Sequence, residues 1–405
     1  MRKLLPVLAM VALASGVSRS SDAQLPPIAG IDGHICAFAS IQSAINAAST
    51  NGTIYVALNG NTIRTEQLTI NGKTLTIQPA STTCTGFATI GNLVVDGGAQ
   101  SRASAGVLDV VNGNVTIRRM TLRNGVSQGS GGILRVTGTA ALPASVTLTE
   151  GASLLHGTAT RGGGAAVGAS ASLTLAAGAT VLDNVARGPG GHGGAIAVFD
   201  GGKLVVEGAS IGNDKYPNRA ETTDGTEARG HGISVEGDAT TAELRAGATV
   251  SFNGPLAATT TTSRGGGIYV AGGVVTLAGA SSVVSNRATV SPAVHIDRGK
   301  LLTRGTIASP VVVANNDAER ASASIRLTGG AAALERTILR ANRSGGAPDS
   351  VGVQVVAAGV DPKKACSGTA QYGANEIVYE TWQCMVPKLA PIIQSPVSPT
   401  PIPLP

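Results

Sequence analysis

Three stretches decide the fold: Gly193-Gly-Ala-Ile-Ala-Val198, Gly230-His-Gly-Ile-Ser-Val235 and Gly265-Gly-Gly-Ile-Tyr-Val270. Each opens on glycine, runs into a short β-branched segment, and is followed by two more strand-length pieces. Lys203-Leu-Val-Val206 and Gly208-Ala-Ser-Ile-Gly-Asn213 follow the first. Ala242-Glu-Leu-Arg245 and Gly247-Ala-Thr-Val-Ser-Phe-Asn253 follow the second, and Val274-Val-Thr-Leu277 and Val283-Val-Ser-Asn286 follow the third. An earlier copy starts at Gly162 and ends at Asn184; fainter copies end near Asn315 and at Asn342. A unit of three short strands cannot bury its own apolar face, whereas stacking on a neighbour does so. Glycine at the bend takes positive φ without steric cost, and asparagine tolerates the left-handed region and can stack on its copies.

Working outward, the chain reads as an all-β solenoid, a right-handed single-stranded parallel β-helix over residues 52–345. Ile41, Ala44, Ile45 and Ala48 lie at helical spacing behind a Ser40 N-cap. They predict a short capping helix that ends a lead segment over 24–51. Residues 346–386 are expected to form a C-terminal cap. The stretch 387–405 carries seven prolines and reads as a spacer. Arg2 and Lys3 ahead of the apolar Leu4 to Ala14 read as a signal peptide over 1–23, which implies export from a bacterium to the periplasm, cell surface or medium. No membrane-spanning segment is expected after its removal.

Composition agrees. Among 405 residues there are 55 glycines, only 2% aromatics and only 13% charged residues, a profile of many short strands and tight bends rather than helical bundles. The net charge of +6 falls to +4 without the signal, too mild for a nucleic-acid partner. In an oxidising compartment Cys36 and Cys84 would staple one end, and Cys366 and Cys384 the other. No C-x-x-C or H-x-x-x-H spacing points to a metal, and no cofactor motif survives its context.

Ile41-Gln-Ser-Ala-Ile-Asn-Ala-Ala48 followed by Gly52-Thr-Ile-Tyr-Val56 resembles the first turn of pectin-lyase-like β-helices. The Gly-Gly starts and Asn-ending strands are similar to repeats of chlamydial polymorphic outer-membrane proteins and related exported adhesin-like proteins. This resemblance covers about residues 36–345. It implies the fold, and a role in surface display or adhesion. The C-terminal barrel of that group has no counterpart here.

Unequal lengths between repeats fall at one corner, after the terminal Asn and before the next Gly-Gly: 185–191, 214–229 and 254–264. Insertions recurring at one position project from one side and make the usual binding face. Arg187, His192, Lys215, Arg219, Glu221, Glu227, Arg229 and Arg264 are its candidates, for a polysaccharide or cell-surface ligand. The competing reading is a polysaccharide hydrolase or lyase, in which His231, Asp214 and Asp224 would be the catalytic candidates. Gly230-His231-Gly232 resembles a segment of polygalacturonases. The Asp-Asp pair and basic triplet of those enzymes are missing, and Gly191-His192-Gly193 is read as the same repeat position one turn earlier. The expected function is therefore a non-enzymatic scaffold with a loop face.

Overall fold

The computed structural model describes residues 29–31, 34–56, 64–80, 93–103, 105–255, 262–349, 352–356, 365–372 and 376–386. The segment expected to be a signal peptide, the Pro-rich tail and Cys84 lie outside them. The chain is all-β, with a long, mostly parallel sheet compatible with a β-helix solenoid.

Each turn contributes one strand to each of three columns. The first column stacks Leu68–Asn71, Leu108–Val111, Leu134–Thr137, Ala165–Val167, Ile196–Phe199 and Ile233–Glu236. It continues through the starts of Ile268–Ala278 and Val294–Arg304 to Ile325–Leu327 and Val353–Val355. The second column runs from Gly52–Val56 through Thr74–Pro79, Asn114–Arg118, Ala144–Thr149, Ala171–Leu175 and Lys203–Glu207 to Thr241–Arg245 and beyond. The third includes Met120–Arg123, Ser153–Leu155, Thr180–Leu182, Ser210–Ile211, Thr249–Ser251 and Ser282–Val284. Side chains alternate in and out along every strand, so the inward positions form continuous apolar rows. Leu148, Leu175, Val206, Leu244 and Leu277 make one of them, all buried. Turn upon turn, each row covers the one before it.

Glycine recurs for a physical reason at the entrance to the first column. Gly131, Gly162, Gly193, Gly230 and Gly265 all have φ between 64° and 75°. The residue after each presses on the neighbouring turn. A Cβ on Gly163 would stand 2.4 Å from the Gly194 carbonyl oxygen, and one on Gly194 would stand 2.3 Å from that of His231.

Asparagines run up the inside of the corner between the third and first columns. Asn184, Asn218, Asn253, Asn286, Asn316 and Asn342 are buried. The side-chain amides of the first five each donate to the Oδ1 of the next at 2.9–3.1 Å, and all six donate to a backbone carbonyl of an adjacent third-column strand. Two expected members are replaced. Asn213 instead accepts from the backbone N–H groups of Lys215 and Tyr216 in a local turn, and Asn218 takes its place. Asn315 is exposed at φ 56°, which turns its successor Asn316 inward.

The ends are closed by other means. The helix Ile41–Ala47 buries Ile41, Ala44 and Ile45, and the Ser40 hydroxyl accepts from Ser43 N–H. The Glu66 carboxylate accepts from the N–H groups of Ile41 and Gln42. Lys73 Nζ donates to the carbonyls of Ile45, Asn46 and Ala48 at 2.8–2.9 Å. Opposite charges at opposite ends of the helix satisfy its orphan groups and its dipole. Antiparallel strands complete both caps, a feature the repeat pattern does not predict. Ala29–Ile31 pairs with His34–Phe38 and Gly52–Val56, and Glu376–Val386 pairs with Gly330–Arg340. Reversing direction lets a terminal segment cover an open edge without another full turn. Cys366–Tyr372 adds the last strand, bridged by the Cys366–Cys384 disulfide. Cys36 is itself in a disulfide, while its expected partner Cys84 falls outside the described residues. The bridged cysteines fit an extracellular or periplasmic location.

Candidate functional site

The residue immediately before each entrance glycine forms a row of its own. Ser130, Arg161, His192, Arg229 and Arg264 align on successive turns, and Val290, which precedes Ser291 rather than a glycine, continues the row. Four basic side chains are thus stacked at strand spacing beside the outward face of the first column. Like charges that close are held only by counter-charges, and the structure supplies two. Glu236, the outermost residue of its strand, lies 2.8 Å from His192 Nδ1 and 3.2 Å from Arg161 Nη2. Glu227 lies 2.5 Å from Arg264 Nε and 4.0 Å from Arg229 Nε.

Aromatic rings fill the remaining space. The Arg161 guanidinium sits over the Phe199 ring at 4.7 Å, and Arg229 over Tyr269 at 5.5 Å. The outward row of the first column reads Ala166, Ala197, Ser234, Tyr269, His295 and Arg326 in register. Tyr269 stacks on His295 with centroids 5.5 Å apart and planes 3° from parallel. His295 Nδ1 lies 3.1 Å from Ser291 Oγ and its Nε2 lies 3.3 Å from Thr328 Oγ1.

Burial raises the Glu236 carboxyl, but the close approach and charge of His192, with Arg161 behind them, outweigh it and hold the group below its ordinary value. Burial, helped by Asp297 and Glu227, pushes the Tyr269 hydroxyl up to about 12. Burial and the charges of Arg264, Arg326 and Arg229 push His295 well below its usual value, leaving it a neutral stacking partner. Arg326 is lowered by burial and by Arg264 against the pull of Glu227, and its Nε is buried with no hydrogen-bond partner. The region carries cations that its own carboxylates offset only in part.

The loop candidates divide into two groups. His192, Glu227, Arg229 and Arg264 belong to this row. Arg187, Lys215, Arg219 and Glu221 lie at the corner beyond it, where Val185–Gly188 pairs with Arg219–Thr222. There Arg187 Nη2 is 2.7 Å from Glu221, Arg219 bridges Glu221 and Asp183 at 3.3 Å each, and Lys215 lies over the Tyr216 ring. These pairs are half exposed, and such pairs contribute about 0–1 kcal/mol.

His231 is elsewhere. It follows Gly230, whereas His192 precedes Gly193, and hydrogen bonding aligns Gly193 with Gly230 and Gly194 with His231. The two Gly-His-Gly segments are therefore two residues out of register, a correction to their reading as one repeat position. His192 faces outward with Arg229. The His231 ring is buried in the wall, where its Nδ1 accepts from Ala220 N–H at 2.9 Å. Burial lowers it to about 4, with Arg219 adding and Glu221 opposing. Asp214 is exposed. Asp224, also exposed, accepts from the hydroxyls of Thr222 and Thr226, which lower it to about 2. No hydrogen bond or ion pair joins any two of Asp214, Asp224 and His231 among the described residues.

Arg161, Phe199, Glu236, Tyr269, His295 and Arg326 were not expected from sequence. Arg161 had a legible signal: Arg161-Gly, His192-Gly, Arg229-Gly and Arg264-Gly all place a basic residue before the entrance glycine. Among the described residues no group of three His, Cys, Asp or Glu could hold a metal ion, and no helix is long and apolar enough to cross a membrane. Comparison with protein-family models, with curated proteins and with solved structures finds no match to this chain.

Proposed function

We propose that the three columns coil as a right-handed parallel β-helix, and that the exported protein is a non-enzymatic scaffold binding a glycan or a surface partner through the face beside the first column. Handedness follows from the near-universal right-handed sense of parallel crossovers. The observation that carries the binding role is the stacked row Arg161, His192, Arg229 and Arg264 with Phe199 and Tyr269 beneath its cations. The part-exposed guanidinium groups present hydrogen-bond donors and the part-exposed Phe199 ring adds apolar surface, a combination suited to sugars and to mixed polar surfaces, while Tyr269 is buried beneath Arg229 as support.

Glycoside hydrolysis argues the other way. It needs one carboxyl held protonated as general acid and a second as base or nucleophile. Glu236 is clamped by His192 and Arg161 and held below its ordinary value, the wrong direction for an acid.

The deciding experiment screens the mature protein for binding and turnover against acidic and neutral glycans. Binding that weakens at least tenfold in Arg229→Ala and Arg264→Ala, with no product released, is expected. Turnover by the parent protein that disappears in Glu236→Gln would replace the scaffold with an enzyme.

A further inference from the structure

The outward face of the second column carries a different chemistry. Thr53, Thr76, Thr116, Thr147 and Thr174 are mutually in register on consecutive turns, one row of five threonines. Two residues earlier on the same strands, Thr74, Asn114, Ser145 and Ser172 make a second row beside it. Strand spacing places neighbours in a row about 4.8 Å apart, and the two rows about 6.6 Å apart along the strand. Strand propensity favours threonine at any outward position, but it does not place threonine in one row on five successive turns. The next two turns end the pattern, with Val205 and Glu243 in the first row and Lys203 in the second.

What separates this block from other hydroxyl-bearing rows is where the hydroxyls go. On the third column, Thr121, Ser153, Thr180, Ser210, Thr249 and Ser282 also align. There Thr180 donates to Ser153 and Ser282 to Thr249, so the row partly satisfies itself. On the second column the Oγ1 atoms of Thr74, Thr76, Thr116, Thr147 and Thr174 make no hydrogen bond among the described residues, although in the second row Ser145 donates to Asn114 at 2.8 Å, and all five threonine side chains are part exposed. Their water-facing hydroxyls alternate with methyl groups on a rigid, regularly ruled sheet. The two rows contain no charge.

A flat, repeating ligand suits a flat, repeating surface. A crystalline sugar polymer would call for aromatic platforms, and neither row contains one. The spacing between turns lies close to the basal-plane oxygen repeat of hexagonal ice. The methyls disfavour disordered water while the hydroxyls can join an ordered layer. We propose that the threonine face of the second column, between Thr53 and Thr174, is an ice-binding surface. It is independent of the basic row beside the first column.

The test grows single ice crystals in the mature full-length protein and measures the thermal hysteresis gap and the inhibition of recrystallisation. Faceted crystals and a measurable gap are expected from the parent protein. Thr116→Lys with Thr147→Lys, at the centre of the rows, should raise the concentration needed by at least tenfold. Thr249→Lys, on the third column, should leave it unchanged. Far-UV circular dichroism and the melting temperature confirm folding. If the lysine pair unfolds the protein, Thr116→Val with Thr147→Val keeps the shape and removes the hydroxyls, and a loss of at least threefold is expected. Round, unshaped crystals from the parent protein would overturn the proposal. So would equal loss in Thr249→Lys, or retention of cellulose or chitin particles that these substitutions abolish without altering ice growth.

Discussion

Replacing Asn286 by alanine tests what the buried asparagines contribute. Asn286 Oδ1 accepts from Asn253 Nδ2 at 2.9 Å and from Asn253 backbone N–H at 3.0 Å, while its Nδ2 donates to Val250 O at 2.9 Å and Asn316 Oδ1 at 3.1 Å. All three asparagines are fully buried. Alanine removes the acceptor for two donors and the donor for two acceptors. Carbonyls with a second lone pair in use lose little, so the two donors of Asn253 dominate. At ~1–3 kcal/mol for each stranded buried group, the cost is about 3–5 kcal/mol. A water entering the space vacated by the amide would recover part of it. Urea unfolding of the mature protein, followed by circular dichroism, reads the change from the transition covering these turns. Asn184→Ala serves as an internal comparison: its Oδ1 accepts from a single donor, Gly157 N–H at 2.8 Å, so one buried donor is stranded rather than two, and it costs less. A loss below about 1 kcal/mol for Asn286→Ala would refute the idea that the amides act as a connected series.

Lys73→Met should cost about 1–2 kcal/mol, because three helix-end carbonyls lose a charged donor; faster amide exchange over residues 41–56 is the check. His231 is neutral when buried and falls to about 4 from an ordinary 6.5. Its contribution to stability is therefore full above about pH 6.5 and is lost as pH falls towards 4, with one extra proton taken up on unfolding in that window. His231→Gln should flatten the slope of log unfolding constant against pH by close to one unit; an unchanged slope would show that the ring already titrates in the folded protein. Opening the Cys366–Cys384 bridge, with a sequence separation of 18, should remove about 3 kcal/mol from the C-terminal hairpin. Exchange should then rise in 366–386 while the turns before residue 300 stay protected.

The repeating parts of the fold were legible because they are set by local chemistry. The entrance glycines, the apolar alternation, and Asn184, Asn253, Asn286 and Asn342 can be read directly, since stereochemistry at each repeats from turn to turn. Asn213 and Asn315 misled because each has a second asparagine within five residues, Asn218 and Asn316. Which one turns inward depends on how the loop folds, not on spacing. The two Gly-His-Gly segments failed for a related reason: identical triplets offset by two residues put one ring outside the wall and the other within it. Of the candidate site, His192, Glu227, Arg229 and Arg264 were reached through loop position. Glu236, Tyr269 and Arg326 were not, because each looks like an ordinary strand residue until stacking brings it against a neighbour 30 or more positions away.

The intervals between successive buried asparagines are 34, 35, 33, 30 and 26 residues, yet the hydrogen bonds linking them barely change. The amide series acts as a ruler whose marks stay fixed however much chain runs between them. Differences in length are diverted to the corner between the third and first columns, where Asp214 and Asp224 are exposed. That corner is consequently a tolerant grafting position. A foreign loop spliced between Thr222 and Glu227 would be displayed at a defined height on the coil without altering the frame of the turns above or below it.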